Sequence, residues 1–445
     1  MSGRTTQIFF ASTLYGAATL AAALDSGLFG PADRRLLLVS NNAATPETTP
    51  PLDRMPGFAR LRERFDGVLS WNEAIAPFHP GGWTPRADDL PLWERYVRLL
   101  WGLGEDRVEL ALESIQVTPA LTVAQLFPEA PVDVYADGLM SYGPTRSRID
   151  PLVGERVRRL LHLDLVPGLA PLLLAEFGAV AHLVPTSAFT KVVDELADRG
   201  AGPGPGLPEG GALLLGQYLS ALGILSAEEE AGLHLRMVRG AVAAGHRRLV
   251  FKPHPVAPPS WSRELEREAA RLGAELSVVE RPVLAEVLFR RLRPALVAGC
   301  FSTALLTASS FYGIATARVG TRDVLDRLTP YQNSNRIPLT LVDATVRDLE
   351  APDAGGGAGG GTGDTGPLDG LVAAVGYAMQ PRIRPDLRGA AHAYLAAHLS
   401  PRTRPYFKRR RLTVLDLPGG VPLPHHARLR RLARGARALR RRVRG

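Results

Sequence analysis

The sequence predicts an α/β fold built as two Rossmann-like domains facing a central cleft, followed by a basic helical tail. Three observations carry this reading. The chain has 445 residues, about three times the length that makes one ordinary domain. Short apolar runs alternate with helical patterns through both halves, the signature of parallel strands with crossover helices. Near the middle, Arg199-Gly-Ala-Gly-Pro-Gly-Pro-Gly-Leu-Pro can continue neither helix nor strand. The expected organisation is therefore a first domain over residues 1–200, a linker over 201–210, a second domain over 211–400 and a tail over 401–445, with a Gly-rich flexible insertion at 353–366.

In chain order, the uncharged stretch Ile8–Leu24 comes first. It is short for a membrane span, contains Ser12, Thr13, Tyr15 and Thr19, and follows a single charge, Arg4, so it reads as a strand, a turn and a helix (about Ala17–Ser26) rather than a targeting segment. Strands are expected at Gln7–Ser12, Arg35–Ser40, Gly67–Ser70, Glu109–Leu112, Asp133–Tyr135 and Val180–Leu183 in the first half. In the second half they fall at Ala212–Leu215, Arg248–Phe251, Glu275–Val278, Ala295–Ala298 and Thr316–Val319.

Composition narrows the chemistry. Hydrophobic residues make up 45% and charged residues 22%, an ordinary globular balance that excludes global disorder. A single cysteine, Cys300, excludes internal disulfides and cysteine-rich zinc sites. From Pro401 onward fifteen Arg and Lys face one acid, Asp416, so the tail carries +14 and the remainder −5 of the overall +9. A mildly acidic body argues against nucleic-acid binding, and a basic tail argues for a local anionic partner.

Four segments can carry a reaction. In Lys252-Pro-His254-Pro a buried-strand pattern stops abruptly, and each proline stiffens its predecessor, holding a cation and an imidazole at the carboxyl end of a strand. In Gly299-Cys-Phe-Ser302-Thr303 a strand passes through a glycine turn into a helix whose first residues carry hydroxyls, the arrangement that presents backbone N–H groups to an anion. Between them lies Glu286, placed to accept hydrogen bonds from a ribose diol. In the first half, Tyr135-Ala-Asp137-Gly138 ends a strand on an acid that faces the cleft and suits a general base. Each segment also has a plain structural reading as a strand exit, a helix cap, a solvated glutamate or an Asp-Gly turn. No acidic pair shows metal-ligand spacing.

Taken together and in this order, Tyr-Ala-Asp137-Gly138, Lys252-Pro-His254-Pro and Cys-Phe-Ser302-Thr303 resemble the acidic-Gly, His-Pro and Ser-Ser/Thr motifs of the bacterial alpha-2,8-polysialyltransferase family and its sialyltransferase relatives. The resemblance extends over roughly residues 7–400 and includes Leu215-Gly-Gln-Tyr218. It implies a GT-B enzyme that takes its sugar from CMP-sialic acid, uses no metal or other cofactor, and inverts the anomeric centre. By position, Asp137 would be the base on the acceptor hydroxyl; His254, Ser302 and Thr303 would hold the departing CMP phosphate; and Glu286 would bind ribose. Lys252 joins the site by its place in a chain with only three lysines. The motif here reads Ala136-Asp137-Gly138, with alanine where capsule polymerases usually carry a second acid.

The acceptor is expected to be a glycan or glycolipid, with Arg146 and Arg148 near the base loop available to an anionic one. In 427–444 the residues Leu429, Leu432, Ala436, Leu439 and Val443 recur at helical spacing among arginines, which predicts an amphipathic helix on an anionic membrane surface. The expectation is a cytoplasmic enzyme held peripherally at the inner face of the membrane. Two rivals stay open: a transferase with another donor such as CDP-glycerol, and a silent nucleotide- or lipid-binding protein.

Overall fold

The computed structural model describes residues 3–136, 138–198, 207–254, 259–351 and 365–421. The first sheet contains β1 (Thr5–Ala11), β2 (Arg34–Val39), β3 (Gly67–Ser70), β4 (Arg107–Glu113), β5 (Val132–Tyr135), β6 (Val157–His162) and β7 (Val180–Leu183), in spatial order β3-β2-β1-β4-β5-β6-β7. The second contains β8 (Ala212–Leu215), β9 (Arg248–Lys252), β10 (Glu275–Val278), β11 (Leu296–Gly299), β12 (Thr316–Arg318) and β13 (Arg347–Asp348), in order β10-β9-β8-β11-β12-β13. Every pair is parallel. In each sheet the order reverses beside the first strand, so crevices open at the carboxyl ends between β1 and β4 and between β8 and β11. The molecule is an α/β protein of two parallel sheets, each with helices between its strands.

The strands form where the apolar runs predict them, because central parallel strands are covered on both faces and need no polar alternation. Ile8, Phe9, Phe10 and Ala11 are all buried, as are all four residues of β8 and of β11. The uncharged stretch at the start of the chain resolves into β1 and the Leu14–Asp25 helix, capped by Thr13, whose hydroxyl accepts from Gly16 N at 3.0 Å. That helix packs against the Thr186–Asp198 helix, so its alanines face protein. Among the described residues no helix is long and apolar enough to cross a membrane.

Two strands escape the sequence reading. In β6 the pair Arg158-Arg159 interrupts the apolar run, yet both guanidinium groups close on the buried Asp133 carboxylate of β5, each at 2.8 Å. The strand β13 is two residues long and leaves no periodic trace.

Beyond the second sheet, the Leu368–Met379 and Arg388–His398 helices pack together and return to the first. A Cβ at Gly376 would lie 2.9 Å from Leu172 Cδ1, and Arg384 Nη1 donates to Leu172 O at 3.2 Å. The segment that begins the basic tail is folded as far as 421. Buried Tyr406 donates its hydroxyl to Asp343 Oδ2 at 2.8 Å, Asp343 pairs with Arg318 at 3.0 Å, and Arg411 Nε donates to Ala378 O at 2.7 Å. The linker residues 199–206, the Gly-rich stretch 352–364 and the amphipathic pattern at 427–444 lie outside the described residues.

Because the Tyr406 hydroxyl satisfies a buried carboxylate, Tyr406→Phe should lower the unfolding free energy by about 1.5–3 kcal/mol, read from the urea midpoint at unchanged slope.

Candidate active site

The second crevice is built from three strand exits. After β8 the chain runs Gly216-Gln217-Tyr218; after β9 it runs Pro253-His254; after β11, Cys300-Phe301-Ser302 leads into the Thr303–Tyr312 helix. Gly216 N donates to Lys252 O at 2.9 Å, joining the first two exits. Gln217 Oε1 accepts from Phe301 N at 2.9 Å, joining the first to the third. Gly216 has a steric reason to lack a side chain, since a Cβ there would sit 2.8 Å from the Phe251 ring.

Ser302 caps the Thr303–Tyr312 helix, its hydroxyl accepting from Ala304 N at 3.3 Å. Leu305 N turns back to Ser302 O at 3.0 Å, and the helix dipole gives the terminus a positive field for an anion. Lys252 reaches this edge from the end of β9. Burial pushes its pKa down, and the Glu286 carboxylate partly opposes that shift. His254 stands at the outer side of the site, its ring 6.0 Å from that of Tyr218. Burial of the imidazole and then the charge of Lys252 lower its pKa below the ordinary histidine value, which favours the neutral ring at pH 7.

Glu286 is 3% exposed, in the first turn of the Ala285–Leu292 helix. Its Oε1 accepts from Thr307 Oγ1 at 2.7 Å, and burial raises its pKa. Thr307 is one turn along from Thr303, so Glu286 is tied to the same helix that Ser302 opens. Lys252, His254, Glu286, Ser302 and Thr303 thus share the carboxyl edge of the second sheet.

Asp137 lies outside the described residues, but its neighbours are placed. Gly138, following β5, comes so close to the second sheet's helix that a Cβ on it would stand 2.7 Å from Thr303 Oγ1. Leu139 N donates to that same oxygen at 3.4 Å. The acidic turn of the first sheet therefore meets the hydroxyl-bearing helix terminus of the second. Arg146 and Arg148 are exposed on the chain that follows, Arg146 N donating to Gln116 Oε1. In the first crevice Glu113, at the end of β4, accepts from Ser12 N at 3.0 Å. Among the described residues no three His, Cys, Asp or Glu side chains gather into a set that could hold a metal ion.

Sequence reasoning missed several residues. His234 packs beneath the site, its ring 5.2 Å from Phe251 and 5.5 Å from Trp261, with neither nitrogen hydrogen-bonded among the described residues. Burial drops its pKa to about 4. Thr307 and Glu230 were equally invisible. Glu230 is the third of three consecutive acids opening the Ala227–Ala243 helix, where acids are expected on dipole grounds alone.

A family model described as alpha-2,8-polysialyltransferase (POLYST) matches residues 7–321. No curated protein matches the chain. Among solved structures, similarity is found to a UDP-glucosyltransferase from Polygonum tinctorium (12% identity, TM-score 0.41, covering 91% of this chain and 98% of that one). The GT-B domain of a sialyltransferase from Photobacterium damselae is similar at 12% identity and TM-score 0.39, over 76% of this chain and 96% of that one. S. aureus MnaA with UDP is similar at 11% identity and TM-score 0.44, over 95% and 100%.

Two outcomes are expected. Gly138→Ala drives a methyl into Thr303 Oγ1 and should cost about 1–3 kcal/mol in stability; adding Thr303→Ala should restore part of it, the remainder being strain at a φ of 156°. A histidine whose folded pKa lies below its unfolded value gives stability that is complete above pH 6.5 and lost as pH falls toward 4. His234 should therefore contribute a loss of about 3 kcal/mol across that window, absent in His234→Phe, as measured by denaturation at each pH.

Proposed function

Since the chain belongs to the alpha-2,8-polysialyltransferase family, and is a glycosyltransferase, we propose that it transfers sialic acid or a related nonulosonic acid from a CMP-activated donor to a glycan or glycolipid acceptor. The observation that carries this reading is the contact of Thr303 with Gly138 and Leu139, which brings the acidic turn of one sheet against the anion-receiving helix terminus of the other. A transferase needs that juxtaposition, with a base on the acceptor and charge stabilisation on the leaving group on either side of one carbon.

The step is a single displacement. The acceptor oxygen attacks the anomeric carbon as its proton passes to the Asp137 carboxylate, and the bond from that carbon to the phosphate oxygen breaks with its electron pair staying on CMP. The configuration inverts. The leaving phosphate gains charge as it departs, and the helix terminus with Ser302 and Thr303, the Lys252 ammonium and the His254 imidazole stabilise it by hydrogen bonds and field. A single phosphate needs no metal in this arrangement. Glu286, with Oε1 on Thr307, has Oε2 for a ribose hydroxyl. The basic pattern at 427–444 would hold the enzyme on anionic lipid at the inner face of the membrane, close to glycolipid acceptors.

The test is calorimetric titration with CMP, CDP, UDP and GDP in EDTA, followed by turnover with CMP-sialic acid. CMP should bind best. Asp137→Ala should lower turnover by about 10²–10⁴ with CMP affinity nearly unchanged, and His254→Ala should weaken both. Preferential binding of UDP or CDP, or full turnover by Asp137→Ala, would overturn the assignment.

A further inference from the structure

One buried charge has no part in the chemistry above. Glu230 is fully buried on the Ala227–Ala243 helix. Its Oε1 accepts from Leu219 N at 2.7 Å, and its Oε2 accepts from Ser220 N and Ser220 Oγ, both at 2.8 Å. Among the described residues no cation stands within ion-pair distance of it. A buried carboxylate is expensive to keep unless hydrogen bonds replace its hydration, and here all three come from two consecutive residues of one loop. Bonds to an ionised acceptor are about twice as strong as neutral ones, so this carboxylate fixes the loop more firmly than an amide or hydroxyl would.

The same loop flanks the anion site on both sides. Gln217, two residues before Leu219, holds Phe301 N and so sets the turn that presents Ser302. Tyr218, between them, lays its ring against His254 at 6.0 Å and Trp261 at 5.9 Å. We propose that Glu230 is a positioning residue for the nucleotide: by clamping Leu219 and Ser220 it sets Gln217 and Tyr218, and through them the helix terminus and the histidine that receive a nucleoside monophosphate. It touches no substrate. The identity of the ligand rests on the reading in the preceding subsection, whereas the clamp itself rests on geometry alone.

The experiment uses the full-length chain and whichever of CMP, CDP, UDP and GDP the wild type binds best. Glu230→Gln swaps an accepting oxygen for an NH₂ group that faces donors, and Ser220→Ala removes one donor with little risk to folding. The expected result is a nucleotide Kd at least tenfold weaker in Glu230→Gln and twofold to fivefold weaker in Ser220→Ala, with donor KM rising in step and kcat at saturating donor within threefold. If Glu230→Gln does not fold, Ser220→Ala and Gln217→Ala carry the same readout. Wild-type Kd in the folded variants, alongside a lowered melting temperature, would make Glu230 a stability residue only and overturn the proposal, leaving the donor assignment intact. Failure of all four nucleotides to bind the wild type would instead overturn the donor assignment, and the positioning role with it.

Discussion

The acidic turn of the first sheet and the helix terminus of the second meet at the Thr303 hydroxyl. Thr303 Oγ1 receives the Leu139 amide and stands where any side chain on Gly138 would have to be, so the approach of this turn to the second sheet's helix is limited by the smallest residue and a hydroxyl. Parallel strand order makes this possible. Both sheets send their strands' carboxyl ends into the cleft, and with them the loops whose free backbone groups can meet a ligand. The remaining polar architecture of the second crevice serves to hold that helix terminus in place: Gln217 fixes the turn before it, Glu286 grips it one turn later through Thr307, and Glu230 secures the loop from which Gln217 extends.

How much of this the sequence discloses depends on how local the cause is. Buried parallel strands announce themselves, because burial on both faces writes continuous apolar runs such as Leu213–Leu215 and Leu296–Ala298. Lys252, His254, Ser302 and Thr303 are legible for the same reason, since prolines, a glycine turn and a helix cap act within a few residues. Causes that act across the chain are silent. Arg158 and Arg159 look like a break in a strand until Asp133, a strand away, is seen to receive both. Residues 401–421 read as the start of a charged tail, and they fold because Tyr406 finds Asp343, 63 positions earlier. Glu230 resembles its two acidic neighbours in every respect except the direction in which it faces.

The electrostatics of the crevice share this layering. Lys252 and Glu286 are both withdrawn from water, and each partly offsets the cost of the other's charge, so the edge holds opposite charges without forming a close ion pair. His254, further out, is shifted toward its neutral form first by burial of the ring and then by the same lysine. An incoming anion would find a pre-arranged field whose desolvation cost was met on folding, which is the condition under which fixed dipoles and charges act most strongly on a reacting group.

The return of the C-terminal helices to the first sheet gives the molecule a mechanical character. The chain passes from the first sheet to the second between Asp198 and Leu207, and it comes back when the Leu368–Met379 helix and Arg384 settle on Leu172. Two bodies joined at a single point can swivel in any direction. Here the crossings are joined by a packed seam: the Thr186–Asp198 helix lies on the Ala285–Leu292 helix, the Phe189 and Phe311 rings meet at 5.9 Å, and Ser310 Oγ donates to Leu165 O at 3.0 Å. The two walls of the cleft are thereby coupled, because close-packed side chains carry a displacement of one half into the other, and the fit of Gly138 against Thr303 is held from well outside the cleft.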